Sequence, residues 1–461
     1  MSSSPISPPL EIDLAPLRSA VAGDVTGPGD EGYDGARGAW NLVADQRPAA
    51  VVHASGEDDV AAVVRFAAEH GVKVAPQATG HGAVALPPLG DAILLRTERL
   101  AGLSVDPGAR TARVEPGAKW GPVSDAAGEH GLVGLGGSSP VVGVTGYTLG
   151  GGLGWLAREH GLASNQVIAA ELVTGTGEHV RVDAESDPEL FWSLRGGGGP
   201  GVVTALEFSL LPLATSYAGS IAFDAEHAPA VFAGFMEWAA TAPRAVTSMI
   251  RFLTLPPIPP VPEELRGRPL VDISLAYAGG AAEGEPVVAP LRGLAPLVYE
   301  RLAEIPAADL CRMAGDPEDP VPGLGGHAML GALDDDAVAA FIAAAGPGSG
   351  SPLVAAGLRH LGGALAEAPA GAGALGALDG DWALFMVGVP MTPELGEAIV
   401  GHQQRVIDAL APVRREHVYA NFQDPPTPAS ALFDAATVDR LRAVRDRIDP
   451  GRVVMAKHPL D

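Results

Sequence analysis

The sequence has a single cysteine, Cys311, which excludes an internal disulfide framework and a cysteine-based zinc site. A buried structural thiol is the expectation for Cys311 rather than a reactive one. Charged residues are few, 18% against roughly 25% in ordinary globular chains. Positive charge is scarcer still: 30 Lys and Arg stand against 55 Asp and Glu, a net charge of −25. A field of that sign repels nucleic acid and anionic membranes and argues against either partner. No uncharged apolar run reaches the roughly 18 residues of a membrane span. The segment Met1–Pro9 is rich in Ser and Pro and lacks the charged start and apolar stretch of a signal peptide. The expected location is the cytoplasm.

What the chain does have is apolar material, glycine and proline. Hydrophobic residues make up 47% of 461 positions, enough for two or three domains. The 60 glycines and 42 prolines predict many turns and short elements. Residues 1–10 read as disordered and 11–45 as one or two short helices. From Ala49 a β-α-β unit follows: a strand over 49–53, a helix opened by Glu57, Asp58 and Asp59 and stopped at Gly71, and a strand over 72–76. Short strands are expected at 92–96, 103–106 and 111–115, a helix at 119–130, and strands at 167–174, 179–183 and 202–211. Residues 213–414 mix strand-like runs (249–253, 270–276, 383–389) with Ala-rich helices (335–345, 393–410). Two Pro/Gly-rich stretches, 255–262 and 315–326, read as loops. The tail reads as an extended 417–422 followed by a helix over 435–449.

Three glycine clusters carry the chemistry. Gln77-Ala78-Thr79-Gly80-His81-Gly82 sits at the exit of the β-α-β unit, where glycine lets backbone approach a ligand closely. His81 on that turn is a candidate acid/base, metal ligand or nucleophile, or a plain loop residue. The segment from Gly136 to Gly154 holds eight glycines in nineteen residues, interleaved with Val, Leu and Tyr, unlike a polar linker. Such turns form a nest for diphosphate oxygens or simply pack. The dinucleotide fingerprint G-x-G-x-x-G at the head of a β-α-β unit is absent. The third cluster is Arg195-Gly196-Gly197-Gly198-Gly199-Pro200-Gly201. None of the three is a P-loop, and no Gly-x-Ser-x-Gly elbow occurs.

The ordered set Arg47-Pro48, Gly80-His81, Ser139-Pro140-x-x-Gly143-x-x-Gly146, Leu149-Gly150-Gly151-Gly152-x-Gly154-Trp155, Glu171-Leu172-Val173-Thr174 and Asp187-Pro188-x-Leu190-Phe191-Trp192 resembles the vanillyl-alcohol-oxidase/PCMH-type FAD-linked oxidoreductases. The nearest branch is that of berberine bridge enzyme and 6-hydroxynicotine oxidase. Tyr419-x-Asn421-Phe422 and Asp449-Pro450 match the tail of that branch, and Tyr33-Asp34-x-x-Arg37-x-x-Trp40-Asn41 its N-terminal helix. The resemblance is strong over 30–212, moderate over 415–461 and weak between, where Arg359-His360-Leu361-Gly362-Gly363 is its best patch. It implies an α+β fold: a two-part PCMH-type FAD-binding domain (1–212 and 415–461) and an α+β substrate domain (213–414), an antiparallel sheet covered by helices.

The same resemblance implies the site. His81 matches the histidine that bonds the flavin 8α-methyl group, and loop 77–82 would wrap the diphosphate. Gln77-Ala78-Thr79 replaces the usual Arg-Gly-Gly, so one cationic contact is lost. Ser138 and Ser139 flank the flavin; Ser139 stands where doubly linked members have cysteine, leaving one covalent bond at most. Val142 falls at the oxygen-gate position with an oxidase-like residue. Gly143, Gly146, Tyr147, Gly150, Gly151, Gly152 and Gly154 would pack on the cofactor, and Val202 on its adenine side. Tyr419 is the candidate base or hydrogen-bond donor, and Asn421 a flavin or substrate contact. Arg251, Tyr277, His327 and Arg359 are candidates for the substrate pocket. Gly357 replaces the glutamate found in many relatives, which rules out a base there. The implied activity is an FAD-dependent oxidase that moves a hydride from a small alcohol, sugar, amine or secondary-metabolite intermediate to the flavin, with dioxygen as the expected acceptor and hydrogen peroxide as product. A dehydrogenase using another acceptor, or a protein with a structural or non-redox flavin, is the alternative. No metal is expected.

Overall fold

The computed structural model describes residues 9–259 and 261–460. The expectation of disorder over 1–8 lies outside them. At Leu10 it does not hold, since its N–H bonds the Gly90 carbonyl at 2.7 Å.

The N-terminal part builds two sheets. The first orders β1 (Asp24–Thr26), β2 (Ala50–His53), β4 (Ala92–Arg96) and β3 (Lys73–Gln77), with β2, β4 and β3 parallel. The helix Glu57–His70 joins β2 to β3 and packs Val60, Val63, Val64 and Ala67 into the core under the sheet. Its three first-turn acids meet the positive helix end. Asp59 also accepts the N–H groups of Ala22, Gly23 and Ser55, tying the N-terminal segment to this helix. The second sheet is antiparallel and orders β5 (Leu103–Asp106), β6 (Thr111–Val114), β9 (Val202–Ser209), β7 (Val167–Val173) and β8 (His179–Asp183).

The third sheet has eight antiparallel strands: β10 (Thr215–Asp224), β11 (Val246–Thr254), β12 (Pro269–Tyr277), β13 (Leu297–Glu300), β14 (Ala303–Pro306), β15 (Leu324–Leu330), β16 (Ala355–His360) and β17 (Trp382–Gly388). Its order is β13-β10-β12-β11-β16-β17-β15, with β14 also on β10. Side chains alternate across the sheet with period two. Ile250 and Phe252 of β11, Ala356 and Leu358 of β16, and Leu384 and Met386 of β17 enter a core roofed by helices Ala228–Ala239, Asp335–Ala345 and Pro393–Ala409. Phe223, Phe232, Phe235 and Phe341 there are fully buried, worth about 1.5–3 kcal/mol each. The intervening residues face the N-terminal sheets.

Several expectations fail. The Pro/Gly-rich 315–326 runs into β15, because the register Leu324↔Gly388 to Leu330↔Trp382 supplies a ladder that composition does not show. The stretch 417–422 is not a strand. Val418 donates to the Ala431 carbonyl, Tyr419 to His327, and Ala420–Phe422 closes a 3-10 turn. The tail then returns to the first sheet: Val74 donates to the Val453 carbonyl and accepts from the Met455 N–H, and Asp449 accepts the N–H groups of Val453 and Val454. Among the described residues no helix is long and apolar enough to cross a membrane.

Candidate active site

A cavity of 1590 Å³ lies between the glycine clusters and the unroofed face of the eight-stranded sheet. Its first wall is the loop after β3. Gly80 takes a left-handed φ of 84° and lies so close to Ala39 that a Cβ would stand 2.8 Å from that side chain. The turn presents His81, whose ring stacks on Trp40 with centroids 4.0 Å apart. Its Nδ1 pairs with Thr79 Oγ1 at 2.8 Å, and its Nε2 is buried without a partner among the described residues. Burial, helped by the charge of Lys119, pushes its pKa down to about 4, so the imidazole is neutral near pH 7. Ala78, Thr79 and Gly82 line the cavity beside it, and Gln77 turns its Nε2 inward while Oε1 accepts from Gln46.

Six residues that line this cavity each hold a buried side-chain atom without a partner among the described residues: Gln77 Nε2, His81 Nε2, Ser139 Oγ, Thr145 Oγ1, Tyr147 Oη and His458 Nδ1. An unsatisfied buried polar atom costs about 1–3 kcal/mol, so six grouped around one cavity favour a polar ligand there. Ser138 differs: its Oγ donates to Asp316 at 2.7 Å. Val142, Gly143, Gly146, Gly150 and Val202 complete this wall, and a Cβ at Gly146 would meet nothing within 4 Å.

Gly151, Gly152 and Gly154 do not reach the cavity. They are glycine because side chains crowd them: Tyr419 and Leu375 at Gly151, Ala163 and Tyr147 at Gly152, and the Gly136 carbonyl at Gly154. Tyr277 is also outside. It shares the parity of Ile273 and Leu275 on β12, so it packs toward the helical roof. His327 stands on the cavity side of β15 but is covered by the tail. Its Nδ1 donates to the Leu384 carbonyl at 2.6 Å and its Nε2 accepts the Tyr419 N–H at 3.1 Å. It positions Tyr419 and lines no pocket.

Tyr419 and Asn421 do line the cavity. The Tyr419 hydroxyl accepts from the Gly152 N–H at 2.9 Å and from Asn421 Nδ2 at 3.1 Å. Asn421 also donates to the Tyr147 carbonyl at 2.9 Å and occupies the space a side chain at Gly150 would need. Burial pushes the Tyr419 pKa above its ordinary value. A raised pKa disfavours the base assignment and favours the hydrogen-bonding one.

The sheet wall brings in Arg251 and Arg359. It also brings residues the sequence reading missed. Tyr299 and Ser274 line the cavity and donate to the buried Asp272 at 3.0 and 2.7 Å. Lys457, one of only three lysines in the chain, donates to the Ala420 carbonyl at 3.0 Å and lies against Gly82. Burial lowers its pKa to about 8, opposed by Asp424. The scarcity of lysine was the one available signal for it. Cys311 is buried, and burial raises its thiol pKa. Among the described residues, no three His, Cys, Asp or Glu side chains group to hold a metal.

Comparison with known proteins bears on the ligand. Residues 48–183 match the FAD binding domain family. The turn of His81 and the glycines between Gly136 and Gly154 lie inside that match. Over 293 residues it is 29% identical to (R)-6-hydroxynicotine oxidase of Paenarthrobacter nicotinovorans, a stretch that covers 62% of this chain and 61% of that one, just under two thirds of that relative's length. The solved 6-hydroxy-D-nicotine oxidase of Arthrobacter nicotinovorans superposes with a TM-score of 0.82 at 23% identity, covering 98% of this chain and 100% of that one. Glucooligosaccharide oxidase from Acremonium strictum, described with a 6-S-cysteinyl, 8α-N1-histidyl FAD, superposes with a TM-score of 0.79 at 21% identity, covering 95% and 97%. The fold is therefore that of the FAD-linked oxidases. The residues that line the cavity fit FAD: glycines along one wall, sufficient size, unpartnered polar atoms around it, and a neutral histidine.

Proposed function

We propose that this chain is an FAD-dependent oxidase of small organic molecules. The observation that carries the reading is the grouping of six residues with unpartnered buried polar atoms, His81 among them, around one cavity between the glycine clusters and an open sheet face. Loop 77–82 and the glycine clusters that line the cavity would hold FAD, with His81 as the single point of attachment. Ser139 has no thiol with which to form a second bond. When bound, FAD accepts a hydride from a substrate C–H and passes the electron pair to dioxygen, giving hydrogen peroxide.

The protein's part is to bind, orient and exclude water. His81, kept neutral by burial, retains a lone pair for covalent attachment. Tyr419 holds its proton at Oη. With two donors already on that oxygen, its O–H is left to donate to a substrate oxygen or nitrogen. Asn421 keeps Tyr419 and the Tyr147 carbonyl in place. The sheet face shuts water out with Met249, Leu253, Phe385 and Val387.

The test is made on purified protein. It is expected to be yellow, to bleach under nitrogen with a substrate from a panel of alcohols, sugars, amines and their acids, and to recolour in air with release of peroxide. Bleaching without recolouring assigns a dehydrogenase instead. A colourless protein that takes up no FAD sinks the reading. After acid precipitation the wild-type pellet is expected to stay yellow and the His81→Ala pellet to be colourless. A colourless wild-type pellet removes only the covalent bond.

A further inference from the structure

The sheet wall carries a guanidinium with no paired acid among the described residues. Arg251 on β11 and Arg359 on β16 line the same face of the cavity. The register pairs Arg251 with Gly357 and Met249 with Arg359, which makes the two arginines diagonal neighbours. Gly357 leaves room for them: a Cβ there would stand 2.8 Å from Arg251 Cβ.

Their electrostatic situations differ. Arg251 has a counter-ion, since its Nε donates to Asp272 Oδ1 at 2.9 Å and Asp272 is 1% exposed. Arg359 has none: among the described residues no acid comes within 4.0 Å of it. It lies 4.8 Å over the Trp155 ring, donates through one Nη to the Leu153 carbonyl at 3.1 Å, and is 8% exposed. Asp316 acts on it only from a distance and is occupied by Ser138. A desolvated guanidinium without a counter-ion is costly unless an anion arrives to pair with it. Its planar fork suits a carboxylate. Met249, Leu253, Phe385 and Val387 surround the pair with apolar surface.

We infer that the Arg251–Arg359 face binds the carboxylate of the substrate, whose apolar body lies along the rest of the sheet wall. This rests on the reading of the cavity as a substrate site beside FAD. The counter-ion is then a substrate group, and neutral alcohols and sugars bind weakly for lack of it.

The test is a calorimetric titration of the purified holoenzyme with benzoate and with benzamide, which share a ring and differ in charge. Benzoate is expected to bind at least about tenfold tighter. Arg359→Gln is expected to abolish the preference, Arg359→Lys to keep part of it, and Arg251→Gln to reduce it. Equal affinities, no benzoate binding, or a preference that survives both glutamine variants overturns the inference. Should Arg359→Gln fail to fold, the wild-type pair and Arg251→Gln still decide. The visible spectrum of the same samples reports flavin separately. A colourless sample speaks against the oxidase reading, whereas a yellow one with no preference for benzoate speaks only against the anion site.

Discussion

The two walls of the cavity are built by opposite means. The wall of residues 77–82 and 137–150 is rich in glycine, with small polar side chains, one histidine, and Val142, Tyr147 and Leu149 between them. The facing wall is side chain, projected at every second residue from β11, β16 and β17. A glycine wall fits a large, invariant group by closeness of approach and by unpartnered polar atoms. A side-chain wall changes its specificity by single replacements without moving its strands, as the Gly357–Arg251 pair shows. The first is suited to a cofactor and the second to a substrate.

That contrast can be broken at three points. The largest effect is expected from Phe232→Ala, which empties a fully buried site in the helical roof of the sheet. It should cost about 3–5 kcal/mol in denaturant unfolding while leaving flavin content per folded molecule unchanged. A parallel loss of flavin means that the roof and the glycine wall are one mechanical unit. Next comes Tyr419→Phe. It strips an acceptor from the Gly152 N–H and Asn421, an expected cost of about 1–3 kcal/mol. Because burial raises the Tyr419 pKa, the alkaline limb of the pH–rate profile should keep its shape in the variant. Disappearance of that limb makes the phenol a titrating base after all. The smallest effect on stability, and of opposite sign, is expected at Gly146, which lies in the helix Val144–Leu149 with open space at its missing Cβ. Gly146→Ala should stabilise the flavin-free protein by about 0.5–1 kcal/mol while weakening flavin retention. A variant that keeps its flavin as tightly as wild type shows that the cofactor does not pack there.

What was legible follows the same division. Helix Glu57–His70, with acids at one end and glycine at the other, and the loop carrying His81 are local patterns, and both stand where the sequence places them. The sheet wall is not local. β15 contains Gly325 and Gly326 and lies partly in a Pro/Gly-rich stretch, so only its pairing with β17 makes it a strand. Arg251 and Arg359 are 108 residues apart, and register alone makes them neighbours. Tyr277 was misplaced by one step of strand parity, which puts a side chain on the opposite face. His327 was placed on the correct strand face, but the tail that covers it belongs to another part of the chain.

By itself, then, the sequence determined the glycine side of the cavity. Glycine spacing and a histidine on a turn express their conformational consequences within a few residues, and the FAD-binding match over 48–183 agrees with them. Only the tertiary structure decided that burial raises the Tyr419 pKa, that Gly151, Gly152 and Gly154 serve packing, and that Arg359 has no counter-ion among the described residues. Burial and strand register set these properties, and both arise when distant segments meet.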